Sequence, residues 1–177
     1  MSTSLISEEY RRLQEDLHGD PFYGVASVRY APLVADYIRR NDVRQVLDYG
    51  AGKGRLGEEL DWLVPWPLEM RRYDPGVPQF SARPGPAEFV ACIDVLEHIE
   101  PHLLGNVLDD LRRVTQRSGL FTVHTGAAGK VLADGRNAHL IQQPPEWWLP
   151  HFMQRFELQR FTVMPFGFWV AVNARPT

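Results

Sequence analysis

At 177 residues and a formal net charge of −3, the chain is the size of one ordinary domain and lacks the positive excess of a strongly basic nucleic-acid binder. Cys92 is the only cysteine, which excludes an intrachain disulfide, and no apolar run reaches membrane-spanning length. The polar stretch Met1 to Arg12 has no secretory-signal character, so the expectation is a cytoplasmic protein with a single domain over 1–177.

Glu8 to Leu17 predicts a short amphipathic helix, stopped near Gly19-Asp20-Pro21 and followed by an aromatic turn at Phe22-Tyr23-Gly24. A second helix is expected from about Val28 to Arg40, with Leu33, Val34, Tyr37 and Ile38 on one face. Together they would form an N-terminal helical cap over 1–42, ahead of a core over 43–177. Gln45 to Tyr49 predicts a buried strand that breaks into Gly50, Gly52 and Gly54. A helix then begins near Arg55, carries Leu56, Leu60 and Leu63, and ends at Pro65-Trp66-Pro67. The next strand, Leu68 to Tyr73, finishes at Asp74-Pro75-Gly76, and Val77 to Ala87 is a proline- and glycine-rich loop.

A strand over Glu88 to Ile93 ends at Asp94, with Cys92 expected to be buried. Pro101 suits the first turn of a helix whose stripe is Leu104, Val107, Leu108, Leu111 and Val114. Leu120 to His124 is a further buried strand, with His124 a structural residue. The long polar segment 125–145 holds Lys130, Asp134, Arg136, Asn137 and His139, and long loops tend to be lids. It leads to a helix around Glu146 to Gln154, where Trp147-Trp148 make either a platform for a sugar or flat ring or part of the core. Glu157 to Met164 and Phe168 to Asn173, joined through Pro165-Phe166-Gly167, read as an antiparallel pair. The arginine doublets Arg11-Arg12, Arg39-Arg40, Arg71-Arg72 and Arg112-Arg113 read as solvated faces. Strands alternating with helices imply an α/β fold with a parallel sheet and right-handed crossovers.

Asp48-Tyr49-Gly50-Ala51-Gly52-Lys53-Gly54 is the most informative stretch. Alternate glycines allow backbone conformations closed to other residues and let a ligand come close. The helix start behind them offers unpaired N–H groups. The pattern resembles the first motif of class I S-adenosylmethionine-dependent methyltransferases, acidic-x-Gly-x-Gly-x-Gly at a strand end. A dinucleotide fingerprint is spaced Gly-x-Gly-x-x-Gly; here the third glycine falls one residue early, and Gly57 gives a weaker overlap. Ala91 to Glu100 is the second signal. Its Asp94-Val95-Leu96-Glu97-His98 resembles the Asp-Val-Leu-Glu-His segment of the ubiquinone- and menaquinone-biosynthesis methyltransferases. The likeness runs from about Val28 to Leu140.

The resemblance implies a Rossmann-like fold whose mostly parallel sheet closes with a C-terminal antiparallel hairpin. The chain departs from the family between Asp74 and Phe89, which is too short for the usual helix and further strand. The sheet is therefore expected to be trimmed by one strand and one helix after strand two, to about six strands. The acidic residue that often follows the missing strand and helps hold the adenine is absent, so part of the adenosine pocket must come from elsewhere or be open. Ligands of such sheets lie beyond the carboxyl ends of the strands, where Asp48, Asp74 and Asp94 fall. The resemblance implies S-adenosyl-L-methionine as cofactor, with Asp74 accepting the ribose hydroxyls. The turn Tyr49, Gly50, Gly52 and Gly54, with Asp48 behind it, would shape the methionine end, and Asp94 and Val95 complete the cofactor set.

His98 is the candidate general base, oriented by Glu97, for a proton on a substrate hydroxyl or amine; an unperturbed pKa of about 6.5 suits that task. A capping or packing role for His98 is the plain alternative. His139, from the lid loop, joins the candidate catalytic residues. A divalent metal is possible but not favoured: Asp94, Glu97 and His98 resemble the acidic-x-x-Glu-His segment of some quinone O-methyltransferases and small-RNA 2′-O-methyltransferases, which bind a divalent ion, with His139 as a further ligand. Such a set does not choose among magnesium, manganese and zinc. The expected partner is a small-molecule methyl acceptor, a carbohydrate hydroxyl among the candidates, with no long nucleic acid and no membrane. The rival readings are methylation of an RNA end or nucleotide and a nonenzymatic S-adenosylmethionine-binding module.

Overall fold

The computed structural model describes residues 4–175. Its helices are α1 (Glu8–His18), α2 (Ser27–Arg40), α3 (Arg55–Leu63), α4 (Leu104–Val114) and α5 (Pro145–Met153). Its strands are β1 (Gln45–Tyr49), β2 (Glu69–Tyr73), β3 (Ala87–Ile93), β4 (Thr115–His124), β5 (Phe156–Met164) and β6 (Gly167–Ala174). They form one six-stranded sheet in the order β2-β1-β3-β4-β6-β5. The first four strands in that order are parallel neighbours, and β6 is antiparallel to both β4 and β5. The trimming expected from sequence is present: only a 3₁₀ turn, Pro78–Phe80, lies between β2 and β3, which leaves β2 at the sheet edge.

A mainly parallel sheet needs cover on both faces, and side chains that alternate along a strand supply the two faces. From β3, Phe89, Ala91 and Ile93 enter one core with Val34 and Ile38 of α2 and Leu56 and Leu60 of α3. Val90 and Cys92 enter the other, with Val107, Leu108 and Leu111 of α4 and Trp148 and Phe152 of α5. Full burial of a side chain of this kind contributes about 1.5–3 kcal/mol. α2 is thus a layer of the core, and of the expected helical cap only α1 lies across the strand ends. α1 is started by Ser7, whose hydroxyl accepts from the Tyr10 N–H at 3.1 Å, with Glu8 and Glu9 in its first turn.

Two local expectations change and one open alternative closes. β4 begins at Thr115, not Leu120, because Thr115 pairs with Ala87 of β3 and Ser118 with Asn173 of β6, and this pairing overrides a polar local sequence. Trp148 is wholly buried against Phe152 and Phe168, so it is core and not a ligand platform, and Trp147 packs edge-on against it. Arg72 and Arg113 are not simply solvated: Arg72 lies across Gly54 and Gly57, and Arg113 and Arg83 both bind the buried Asp110. Among the described residues no helix is long and apolar enough to cross a membrane.

Candidate functional site

A cavity of about 440 Å³ opens beyond the carboxyl ends of β1, β2, β3 and β4. The glycine turn forms its floor. Gly50 has φ +83°, and a Cβ there would lie 2.3 Å from Val95 Cγ2. Gly52 has φ +51°, and its Cβ would lie 2.6 Å from the carbonyl oxygen of Gly24. Both positions therefore need glycine for conformation and for space. The N–H groups of Gly50 and Ala51 donate to Tyr73 O at 2.7 and 3.0 Å. That of Gly52 donates to Asp74 Oδ2 at 2.8 Å, and Gly76 N–H donates to Asp74 Oδ1 at 2.9 Å. Asp74 thus ties the turn to the end of β2 and still lines the cavity with its remaining lone pairs.

The other expected cofactor residues divide. Tyr49, Gly50, Gly52, Asp94 and Val95 line the cavity. Tyr49 presents its ring while its hydroxyl donates to Asp110 Oδ2 at 3.1 Å. Asp48 and Gly54 do not reach the cavity. Gly54 faces Arg72, with a Cβ 2.9 Å from Arg72 Nε, and caps the start of α3. Asp48 is sealed behind the turn, its Oδ2 without a hydrogen-bond partner among the described residues; burial, and then the charge of Asp74, push its carboxyl up to about 7.

The far end of the cavity is built from histidines. Asp94 has φ +51°, a left-handed conformation unusual outside glycine, and its carboxylate accepts from the Thr122 hydroxyl. Burial raises its pKa. His98 Nδ1 lies 2.8 Å from Ala138 O and 3.3 Å from the Tyr23 hydroxyl. A proton on that nitrogen donates to the carbonyl and leaves the Nε2 lone pair free. His139 repeats the arrangement, with Nδ1 2.7 Å from Gly126 O. The two rings meet edge to face at 4.7 Å. Burial, then the neighbouring His139, push His98 down to about 3, and burial also lowers His139, so both rings are neutral at pH 7.

Glu97 lies deeper, fully buried and outside the cavity lining. Its Oε1 accepts from His124 N–H at 2.8 Å, so it does not orient the His98 ring as expected. Its Oε2 has no hydrogen-bond partner among the described residues, and burial, with Asp94 nearby, holds its pKa well above the carboxylate range. One potential ligand atom from each of Glu97, His98 and His139 lies within 4.8 Å of the others. Two nitrogen donors and one oxygen donor fit a divalent cation, and each imidazole has its other nitrogen held by a carbonyl, as metal-bound histidines do.

His124, expected to be buried structure, instead lines this end, tilted against His139 at 4.9 Å and stacked on the exposed Phe166. His18 and Tyr23 were missed as site residues. Both lie in stretches that read as a helix end and a turn, and no local pattern marks them; only the path of the chain over the glycine turn brings them in. The lid loop is more ordered than its polarity suggests. Asn137 Oδ1 accepts from Ala128 N–H and His139 N–H, and its amide donates to Ala128 O, each at 2.9 Å. Lys130, from the same loop, pairs with Asp20 beyond the end of α1, so loop and helix roof the cavity together.

No protein-family model and no curated protein matches the chain. Solved structures do. The 1,6-didemethyltoxoflavin-N1-methyltransferase of Burkholderia thailandensis, with 1,6-didemethyltoxoflavin and S-adenosylhomocysteine bound, superposes with a TM-score of 0.65 at 16% identity over 99% of this chain and 94% of that one. An O-methyltransferase family protein from Burkholderia thailandensis gives 0.63 at 13% identity over 90% of this chain, which spans 62% of that protein. DhpI, in complex with S-adenosylhomocysteine, gives 0.55 at 17% identity over 100% of both chains. At these identities the likeness establishes the fold, and the chain adopts that of the class I S-adenosylmethionine-dependent methyltransferases.

Proposed function

We propose that the protein transfers the methyl group of S-adenosylmethionine to a hydroxyl, or an amine, of a small molecule. The carrying observation is one continuous cavity with the glycine turn and Asp74 at one end and His98, His124 and His139 at the other. The cofactor would supply an electrophilic methyl group for in-line displacement. The turn and Asp74 would orient it, and α1 with the lid loop would exclude water and hold the acceptor close, where alignment contributes most of the acceleration. The compact cavity suits a small acceptor better than a polymer. A narrower affinity to the quinone-biosynthesis group rests on Asp94 to His98 alone.

Two roles remain for the histidine end. In the first, His98 Nε2 takes the acceptor's proton. An imidazole held near 3 is a weak base for that step, because efficient bases titrate near the working pH. A second reading rests on geometry: Glu97, His98 and His139 would hold a divalent cation, which would polarise the acceptor oxygen. The orphaned Glu97 Oε2 is the group such a cation would satisfy.

One experiment tests both levels. Calorimetry with S-adenosylhomocysteine should show binding in about the micromolar range, and an acceptor screen should then show S-adenosylhomocysteine release. Failure to bind either form of the cofactor overturns the proposal. Chelator then decides the second level. Turnover that vanishes with chelator, returns with one divalent ion and stays lost in His139→Ala supports the metal reading. Turnover indifferent to chelator, yet about 10²–10⁴-fold lower in His98→Ala, supports the base.

A further inference from the structure

The trimmed sheet leaves a gap in the adenosine site. β2 is an edge strand, no carboxylate follows it in the place of the missing strand, and Asp74 already accepts the N–H groups of Gly52 and Gly76. The wall opposite Asp74 comes from α1. Tyr10, Gln14 and His18 all line the cavity, and three sets of bonds hold the helix there. Ser7 donates its N–H and hydroxyl to Glu100, both at 2.8 Å. The Tyr10 hydroxyl donates to His98 O and receives the Gln14 amide. Lys53, inside the glycine turn, donates to His18 O at 2.7 Å.

The His18 ring sits in a slot between two glycines. A Cβ on Gly24 would lie 2.9 Å from His18 Cε1, and one on Gly76 3.5 Å from Cδ2. Tyr23 closes the slot edge-on at 4.9 Å. So placed, His18 Nε2 lies 3.9 Å from Asp74 Oδ2. That distance is too long for a direct hydrogen bond. It does admit one oxygen about 2.8 Å from both atoms, a normal hydrogen-bond length. A hydroxyl there would donate to the carboxylate and accept from the imidazole N–H. Burial lowers the pKa of the ring, which favours the neutral form with one proton to donate, and Nδ1 is buried without a hydrogen-bond partner among the described residues.

We propose that His18 is a cofactor-binding residue that shares a ribose hydroxyl of S-adenosylmethionine with Asp74, so that α1 supplies part of the adenosine site. This rests on the cofactor reading above. The hydroxyl sets the specificity: the site takes ribonucleoside cofactors and discriminates against deoxyribose forms.

The test is calorimetry of S-adenosylhomocysteine and its 2′-deoxy and 3′-deoxy analogues against wild type, His18→Phe and His18→Gln. His18→Phe keeps the ring shape and removes the donor; His18→Gln returns an amide N–H near Nε2. Wild type should prefer S-adenosylhomocysteine to one deoxy analogue by about tenfold or more, the effect of one well-made hydrogen bond. His18→Phe should lose about that factor for S-adenosylhomocysteine and little for that analogue, and His18→Gln should restore part of the preference. Equal losses for all three ligands would show that His18 only packs. If His18→Phe does not fold, a wild type indifferent to both hydroxyls still overturns the inference. A wild type that binds none of the three overturns the cofactor reading itself.

Discussion

Asp48 is the residue at which protonation and folding are most tightly linked. Its carboxyl is buried under the glycine turn and titrates near 7 in the folded chain, against a reference of 3.8. The native state therefore binds this proton more tightly than the unfolded chain does. That contribution is complete below about pH 4, where both states are protonated, and falls as pH rises from about 4 to 7. Above that window the native state carries an ionised buried carboxylate. Asp48→Asn should remove the dependence. Its stability relative to wild type should rise by roughly 2 kcal/mol between pH 5 and pH 7, since each pKa unit is worth about 1.4 kcal/mol. Whatever constant effect the amide has cancels in the slope. Denaturant melts of the pair at both pH values measure it, and parallel curves would show that Asp48 stays ionised throughout.

At the scale of elements, one side chain braces the lid loop at three points. Asn137 satisfies three backbone groups, one of them the N–H of His139. Asn137→Ala should therefore loosen the loop by about 1–3 kcal/mol, the penalty of leaving such groups unpaired, without touching either core. Amide exchange should quicken over 126–139 and stay slow in β3 and β4; an even quickening across the sheet would refute a local role. The contrast with α4 explains what was legible in the sequence. Leu104, Val107, Leu108 and Leu111 repeat at helical spacing, so element and buried face were both readable, and Gly50, Gly52 and Asp74 marked one part of the cavity lining. Thr115 to Gly119 was not readable as strand, because the pairing that makes it one lies in β3 and β6. His18 and His124 were unreadable as site residues for a similar reason. Each faces the cavity only through contacts made by chain far away in sequence, and His124 looks like any strand end until Phe166 stacks on it.

Over the whole molecule, the proposed cofactor site should reveal itself in how binding redistributes stability. The floor is parallel sheet with a core on each face, while the roof is α1 and the lid loop, bonded to each other through Lys130 and Asp20 and to the strand ends through Glu100 and His98. The prediction is that a ligand enters by parting this roof. The Lys130–Asp20 pair is partly exposed, so solvent screens it and it contributes little to stability. Its removal should therefore change rates more than affinity. S-adenosylhomocysteine at 100 times its Kd should stabilise the protein by about 2.7 kcal/mol through mass action. The accompanying slowing of amide exchange should reach residues 5–26 and 126–139, whose local openings the ligand suppresses, as well as the core amides that exchange only through global unfolding. In Lys130→Ala, stopped-flow binding should show association and dissociation both faster, with Kd moved less than about fivefold. A Kd weakened well beyond that, with association unchanged, would mean that Lys130 touches the ligand itself and that the roof does not gate entry.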